Sequence, residues 1–136
     1  MFSKSDDARP TSGNPGYIKG FLGGVVADEP RAALVGREVL SAGGTAADAA
    51  VAVGFALAVT LPSRAGLGAS GACLSYAASV KGANKRVPEA ILFIAPPPAA
   101  PGNADRPAAA PMLARGMFAL HAKYGTRRFE SLMAPA

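Results

Sequence analysis

The sequence predicts a single domain with a layered α/β fold. Two observations lead to this prediction: an almost wholly apolar helical segment over residues 46–61, and short apolar runs of strand character before and after it. A chain of 136 residues has the size of one ordinary domain. Half of its residues are hydrophobic, which is enough for a core, although alanine supplies much of that fraction and makes the core thin.

The chain begins with a segment that we expect to be a flexible lead-in. Residues 1–20 are polar and rich in Gly, Pro, Ser and Asp, so they cannot bury enough apolar surface to offset the entropy cost of ordering. The domain is therefore expected to span residues 21–136. Its first element is predicted at residues 21–27 (FLGGVVA), a short apolar run that is typical of a buried strand.

An amphipathic helix is predicted to follow this strand. Pro30 suits the first helical position, and Asp28 and Glu29 lie near the positive end of the helix dipole. Gly43 is predicted to cap its C-terminal end. The apolar face at helical spacing consists of Ala32, Val35, Gly36, Val39 and Leu40.

A second helix forms the centre of the predicted fold. Thr45 and Asp48 form a Thr-x-x-Asp variant of the capping box, in which each side chain satisfies a backbone donor of the first turn. Residues 46–61 are apolar on nearly every side, so this helix has to be buried between layers of the core. A membrane span is excluded because the run is shorter than the roughly 20 residues that a bilayer requires and contains Asp48. We expect Pro62 to end the helix.

A glycine-rich loop over residues 62–71 is predicted to lead into a pair of strands. Residues 72–78 alternate in the manner of a strand, and residues 90–95 (AILFIA) are a second buried strand that could pair with the first as a hairpin. Residues 81–88 between them are polar and turn-like.

The last quarter of the chain is predicted to be an extended segment followed by helix. Residues 96–111 contain six prolines, which favours an extended surface segment. Residues 112–124 form an amphipathic helix capped by Gly125, and residues 129–134 could begin another. The apolar face of the longer helix consists of Leu113, Gly116, Met117, Leu120 and Tyr124.

Composition excludes several classes of function. The net charge is +5, but the basic residues are spread along the chain without interleaved aromatic residues, so we expect no nucleic-acid partner. The single Cys73 and single His121 exclude an internal disulfide and a Cys/His metal site, and no cofactor is expected. An acidic pair lies where a secretory signal needs an apolar stretch, which predicts a cytoplasmic protein. A periplasmic one is the alternative if the true N-terminus is missing.

Two motifs have a functional and a plainer interpretation. Residues 66–71 (GLGASG) match the G-x-G-x-x-G pattern of dinucleotide-binding folds, but that motif needs a strand before the loop and a helix after it, and the opposite order is predicted here. Cys73 and His121 could suggest nucleophilic catalysis. The first fits a strand as a small apolar residue and the second lies beside the apolar face of a helix, so we expect both to be structural.

The sequence resembles one known family. Residues 43–62 (GGTAADAAVAVGFALAVTLP) and the glycine-rich loop after them resemble the large-subunit signature of gamma-glutamyltranspeptidases. Residues 24–40 resemble the strand and helix that precede this signature. Residues 115–136 (RGMFALHAKYGTRRFESLMAPA) resemble a later helix with its Tyr-Gly-Thr end and Pro-Ala segment. The resemblance covers residues 20–136.

This resemblance implies a fold and a chemistry. The family has an N-terminal-nucleophile hydrolase fold of αββα type, with two sheets between helical layers, made as a precursor that cleaves itself. Cleavage frees a threonine whose own amine acts as base. That threonine attacks a gamma-glutamyl amide such as that of glutathione, and water or an amino acid then resolves the gamma-glutamyl-enzyme.

The chain departs from the family where the family's chemistry lies. None of its four threonines stands in the Thr-Thr/Ser-His/Tyr setting of the family's nucleophile, so we predict no catalytic residue. The family holds the glutamyl carboxylate with an arginine at the end of a strand. Ile94 stands at that position here, so no substrate-binding residue is predicted either. The family's run of glycines is reduced to a structural loop with Gly66, Gly68 and Gly71.

The sequence therefore predicts a fragment or truncated member of this family that is inactive alone. It would need the missing small-subunit region, and gamma-glutamyl compounds such as glutathione are the small molecules that the resemblance implies. The alternative is a degenerate, non-enzymatic paralogue that acts as a binding or interaction module. A dinucleotide-binding protein is the third hypothesis. No membrane partner is expected.

Overall fold

A computed structural model describes residues 23–76, 87–96 and 109–136 of the chain. The predicted lead-in, the turn before residue 87 and most of the proline-rich segment lie outside the described residues, so those predictions and the domain boundary stay predictions. The elements are, in chain order, helices α1 (Pro30–Ser41), α2 (Ala46–Thr60) and α3 (Pro62–Ala65), strands β1 (Gly71–Ser75) and β2 (Glu89–Phe93), and helices α4 (Leu113–Tyr124) and α5 (Phe129–Met133).

Helix α1 is capped at both ends, and the cap at Gly43 is the one that its sequence predicts. The Glu29 side chain accepts a hydrogen bond from the backbone N–H of Ala32 at 2.9 Å. At the other end, Gly43 has a φ of 81°, and the backbone N–H of Gly44 donates to the carbonyl of Val39 at 2.9 Å. This is a Schellman ending, which needs a left-handed residue at the position of Gly43 and so favours glycine.

Helix α2 packs against α1, α4 and α5. Val51 and Ala52 are fully buried at its centre. The prediction that α2 is buried on every side is wrong, because Val59 is 62% exposed and Ala46 and Ala50 also face outward. No element within the described ranges covers these positions.

No helix in the described part of the chain has the length and apolar character needed to cross a membrane.

The predicted hairpin is confirmed. Strands β1 and β2 pair antiparallel, with Gly71 opposite Phe93 and Ser75 opposite Glu89. One face of the hairpin packs on α4, where Phe93 is only 5% exposed. The other face is open, and Leu74 is 77% exposed. Only the covered face of this small sheet therefore contributes to the core of the described residues.

The strand predicted at residues 21–27 is not observed over its described part. Residues 23–27 have no strand pairing, and Val26 is 98% exposed. The segment lies along α1, with Val25 packed so closely on Gly36 that an added Cβ there would lie 2.8 Å from it. A strand needs a neighbour for its backbone hydrogen bonds, and none of the described segments supplies one.

The prediction of an uninterrupted loop after Pro62 is also wrong. Residues 62–65 form the short helix α3. Leu61 ends α2 and begins this new helix, and Pro62 suits its first position. The predicted helices over residues 112–124 and 129–134 are confirmed as α4 and α5. Four residues of the predicted apolar face of α4 are buried, namely Leu113, Gly116, Met117 and Leu120, while Tyr124 is half-buried.

Candidate functional site

The most densely bonded polar group in the described structure is the carboxylate of Asp48, which is fully buried in the first turn of α2. It accepts hydrogen bonds from the backbone N–H of Thr45 at 2.9 Å and of Thr126 at 3.0 Å. The Thr126 hydroxyl donates to it at 2.9 Å, and the N–H of Arg127 at 3.3 Å. Asp48 therefore joins the start of α2 to the α4–α5 loop.

Two opposing effects set the ionisation of Asp48. Burial alone would raise its pKa, but the hydrogen bonds from Thr45 and Thr126 outweigh it and lower the pKa to about 2. The carboxylate is thus ionised at neutral pH, and its oxygens are occupied by donors. A general base works best with a pKa near the working pH. Asp48 is therefore an anchor of the fold, as its capping motif predicts.

His121 and Cys73 have the structural surroundings that the sequence predicts. The Nε2 of His121 lies 2.7 Å from the backbone carbonyl oxygen of Arg127, to which it donates, and 3.8 Å from Asp48 Oδ1. Cys73 packs beside the apolar core, and burial raises the pKa of its thiol. No hydrogen bond between the two exists in the described structure, so they do not form a nucleophile and base.

The threonines of the described ranges are all held in structural positions. The Thr45 hydroxyl accepts from the backbone N–H of Asp48 at 3.1 Å, which completes the capping box. The Thr60 hydroxyl donates to the carbonyl of Ala56 at 2.9 Å, and that of Thr126 donates to Asp48. Each hydroxyl is thus committed to the backbone or to a buried carboxylate.

The structure brings Ile94 and the glycine-rich loop to the same place. Ile94 directly follows β2 and is 65% exposed. The Ser70 hydroxyl accepts a hydrogen bond from the backbone N–H of Ala95 at 2.9 Å, which ties the loop to the end of β2. The surface at the end of β2 therefore carries an apolar side chain that cannot pair with a carboxylate; that this side chain replaces the family's arginine stays a prediction.

The three loop glycines differ in their surroundings. An added Cβ at Gly71 would lie 2.8 Å from the Phe93 ring, and one at Gly66 would lie 2.8 Å from the carbonyl oxygen of Pro62, whereas Gly68 is open. The loop runs from α3 into β1. A dinucleotide site needs the loop to leave a strand and enter a helix, so the described fold gives the third hypothesis no support.

An apolar trough runs along the uncovered side of α2, and we call it the α2 trough. It consists of two adjoining cavities of about 480 and 350 Å³ that share Ala46, Ala50 and Cys73 in their walls. None of the side chains that line either cavity is charged. The trough therefore offers no cation for a glutamyl carboxylate, and within the described ranges no three His, Cys, Asp or Glu side chains could hold a metal ion.

A polar cluster that includes Tyr124, a residue lining the larger cavity of the trough, was not predicted. The carboxylate of Glu89 accepts hydrogen bonds from the ammonium of Lys123 and the hydroxyl of Tyr124, which join β2 to α4. These bonds, first that from Lys123 and then that from Tyr124, lower the pKa of Glu89. The sequence does not show that these residues meet, because Glu89 lies 34 residues from Lys123 and 35 residues from Tyr124.

The chain matches one family model, that of gamma-glutamyltranspeptidase, over residues 32–136. It belongs to the gamma-glutamyltranspeptidase family. No curated protein sequence matches it at a significant level. The predicted family and the predicted fold class, a partial α/β fold of N-terminal-nucleophile hydrolase type, are both confirmed.

Solved structures agree with the family model. The chain is similar to the gamma-glutamyltranspeptidase of Helicobacter pylori, with 30% identity and a TM-score of 0.70 over 90% of this chain and 38% of that one. It is similar to the Pseudomonas nitroreducens enzyme in complex with L-DON, with 26% identity and a TM-score of 0.70 over 88% of this chain and 38% of that one.

A third relative is the transpeptidase CapD of Bacillus anthracis, with 29% identity and a TM-score of 0.66. The match covers 82% of this chain and 36% of CapD. The chain thus spans less than two fifths of the length of each of these three relatives.

Proposed function

We propose that this chain forms the N-terminal structural part of a gamma-glutamyl-transferring domain and that it catalyses neither transfer nor hydrolysis by itself. The observation that carries the proposal is the engagement of Thr45, Thr60 and Thr126 in caps and buried hydrogen bonds. To act as such a nucleophile, one of them would have to be freed as an N-terminal residue, and that cleavage would cut the chain at the start of α2, at its end or in the loop between α4 and α5.

The substrates proposed for a completed domain are gamma-glutamyl amides such as glutathione. Family membership supports this class, because the solved relatives are transpeptidases. The exposed Ile94 argues for weak binding of a glutamyl carboxylate even then, since a guanidinium would gain two charge-assisted hydrogen bonds that an aliphatic side chain cannot make.

Hydrolysis of a chromogenic gamma-glutamyl anilide by the purified chain tests the proposal. We expect no release of the aniline above the rate of a protein-free blank, while the H. pylori enzyme serves as the positive control for the assay. Release that is lost in the Thr45→Ala, Thr60→Ala or Thr126→Ala variant would show an active nucleophile in this chain and overturn the proposal.

The second candidate is a degenerate paralogue without enzymatic function that acts as a binding or interaction module. The observation that favours it is the apolar Ile94 beside the glycine-rich loop. The DNA downstream of the codon for Ala136 separates the two candidates. A Thr-Thr-His-like stretch in any reading frame supports the fragment, and its absence supports the stand-alone module.

A further inference from the structure

The face of the hairpin that points away from α4 is uncovered within the described ranges. Every second residue of a strand points to the same face, and all the positions on this face are exposed. We call it the outer face; its residues are Ala72, Leu74, Tyr76, Ala90, Leu92 and Ile94. None of them carries a charge, so the outer face is an apolar patch on a chain whose net charge is +5.

The outer face is large enough for a specific contact. Leu74 is 77% exposed, Leu92 65% and Tyr76 56%. Together with the other three residues they form a patch on the order of 500 Å², near the upper end of what a monomer usually exposes. Two such patches in contact would bury about 1,000 Å² in total, which is the least that a specific protein–protein interface needs. The outer face therefore suits a reversible dimer.

Large and small side chains alternate across the outer face. Ala72 lies opposite Leu92, and Leu74 lies opposite Ala90. The two leucines therefore lie on one diagonal of the hairpin and the two alanines on the other. A second copy that is turned by 180° about an axis parallel to the strands brings its β1 over β2. Each leucine then meets an alanine, Leu92 on the partner's Ala72 and Leu74 on the partner's Ala90.

We propose that the outer face packs on the outer face of a second copy of this chain. A twofold axis relates the two copies, as in most dimers of identical chains, and the two hairpins stack about 10 Å apart with their strands aligned. The packed helices of each copy lie on the far side of its hairpin, so the dimer has four layers in the order helix, sheet, sheet, helix. This dimer is a property of the chain as it stands, whether or not it is part of a transferase domain.

Electrostatic repulsion opposes this dimer, and salt should relieve it. Each copy carries a net charge of +5, while the outer face has no ion pair that salt could weaken. Screening reduces repulsion between exposed charges, so the dissociation constant should fall at least about threefold between about 50 and 500 mM NaCl. An interface held by ion pairs would respond in the opposite direction.

Sedimentation velocity of the purified chain between about 1 and 200 µM measures the association. We expect the sedimentation coefficient to rise from that of a monomer to that of a dimer, without larger species, because a twofold contact uses the outer face of both copies. Leu92→Lys should raise the dissociation constant at least about tenfold, since it buries an unpaired charge. Leu34→Lys makes the same change at an exposed position of α1 and should leave the constant within about twofold of the parent value.

An exchange of large and small residues tests the packing itself. Ala72→Leu should raise the dissociation constant about tenfold, because two leucines then meet across the interface. Adding Leu92→Ala to this variant restores one large and one small residue in that row, and should return the constant to within about threefold of the parent. A patch that associates through apolar area alone would bind more tightly after Ala72→Leu. Circular dichroism checks that all variants keep the helical content of the parent.

Four results would overturn the proposal. They are a chain that stays monomeric at about 200 µM, which would leave the outer face to a different partner; equal effects of Leu92→Lys and Leu34→Lys, including the absence of any effect that edge-to-edge pairing of β1 predicts; tighter association of Ala72→Leu; and association that weakens with salt. Failure of the proposed function is read separately, as anilide hydrolysis by the chain, which does not depend on its oligomeric state.

Discussion

Thr126 donates both its backbone N–H and its hydroxyl to the buried carboxylate of Asp48, at 3.0 and 2.9 Å, although the two residues lie 78 positions apart in the chain. The same carboxylate closes the capping box of α2 with Thr45. One ionised group thus holds the start of the central helix and the loop that leads into α5. Among the described residues, no other carboxylate accepts as many hydrogen bonds.

Replacing Asp48 by asparagine should lower the free energy of unfolding by about 2–4 kcal/mol. The carboxylate offers two acceptor oxygens to its hydrogen-bond donors, whereas the amide offers one, and the NH₂ group of the amide would face other donors. Urea denaturation followed by circular dichroism measures the loss. Asp28→Asn is the matched control, since Asp28 is exposed before α1, and should change stability by less than about 0.5 kcal/mol. Equal effects of the two substitutions would contradict the role assigned to Asp48.

The stability of the chain should fall in acid partly through Asp48. Its pKa is about 2 in the folded chain, against 3.8 for the unperturbed group. A lowered folded pKa contributes stability that is present above the unfolded value and is lost as the pH falls from about 5 towards 2. Urea midpoints measured across this range should decline less steeply for Asp48→Asn than for the parent. The lowered pKa of Glu89 acts in the same direction, so the urea midpoint of the variant should still fall in acid, but less than that of the parent. Equal slopes of midpoint against pH in the two proteins would contradict the prediction.

Gly43→Ala should cost about 1 kcal/mol of stability, because a left-handed backbone conformation is strained for a residue with a Cβ. Gly43 has a φ of 81° and ends α1 in a Schellman motif. Gly68→Ala serves as the control, since an added Cβ there meets nothing within 4 Å. Thermal unfolding of the two variants should give a lower midpoint for the first and a midpoint near that of the parent for the second.

Gly116→Ala should destabilise the packing of α4 on the hairpin by about 2–3 kcal/mol, as overpacking of a filled core does. An added Cβ at Gly116 would lie 2.2 Å from Cγ of Phe93, which is buried between β2 and α4. Combining Gly116→Ala with Phe93→Leu should recover part of the loss, because the smaller side chain leaves room. Purely additive effects in this double-mutant cycle would show that the contact is not the cause.

Sequence patterns predicted the helices that carry their own caps and the two strands that pair with each other. Helix α1 has its own caps in Glu29 and Gly43, α2 has its capping box, and β1 and β2 are each other's partners. The strand predicted at residues 21–27 depends on a neighbour that the described residues do not include. Its apolar composition is typical of a strand, but a strand is a pairing of two segments and cannot be read from one of them.

The candidate site divides in the same way. Asp48 was predicted as a cap, since the spacing of Thr45 and Asp48 within one helical turn shows that bond directly. Its bonds to Thr126, and the bonds of Glu89 to Lys123 and Tyr124, depend on tertiary contacts across many residues. No periodicity in the sequence reports such contacts. Ile94 is exposed after the end of β2, while its correspondence to the family's arginine and its consequence for binding stay predictions.

Intact-mass spectrometry after incubation with a gamma-glutamyl donor tests the central claim, that this chain is a structural part without a nucleophile of its own. The chemistry of the family passes through a gamma-glutamyl ester on a threonine, so an acid quench would preserve any adduct. The account predicts the unmodified mass of the 136-residue chain. A species heavier by one gamma-glutamyl group and located on Thr45, Thr60 or Thr126 would contradict it.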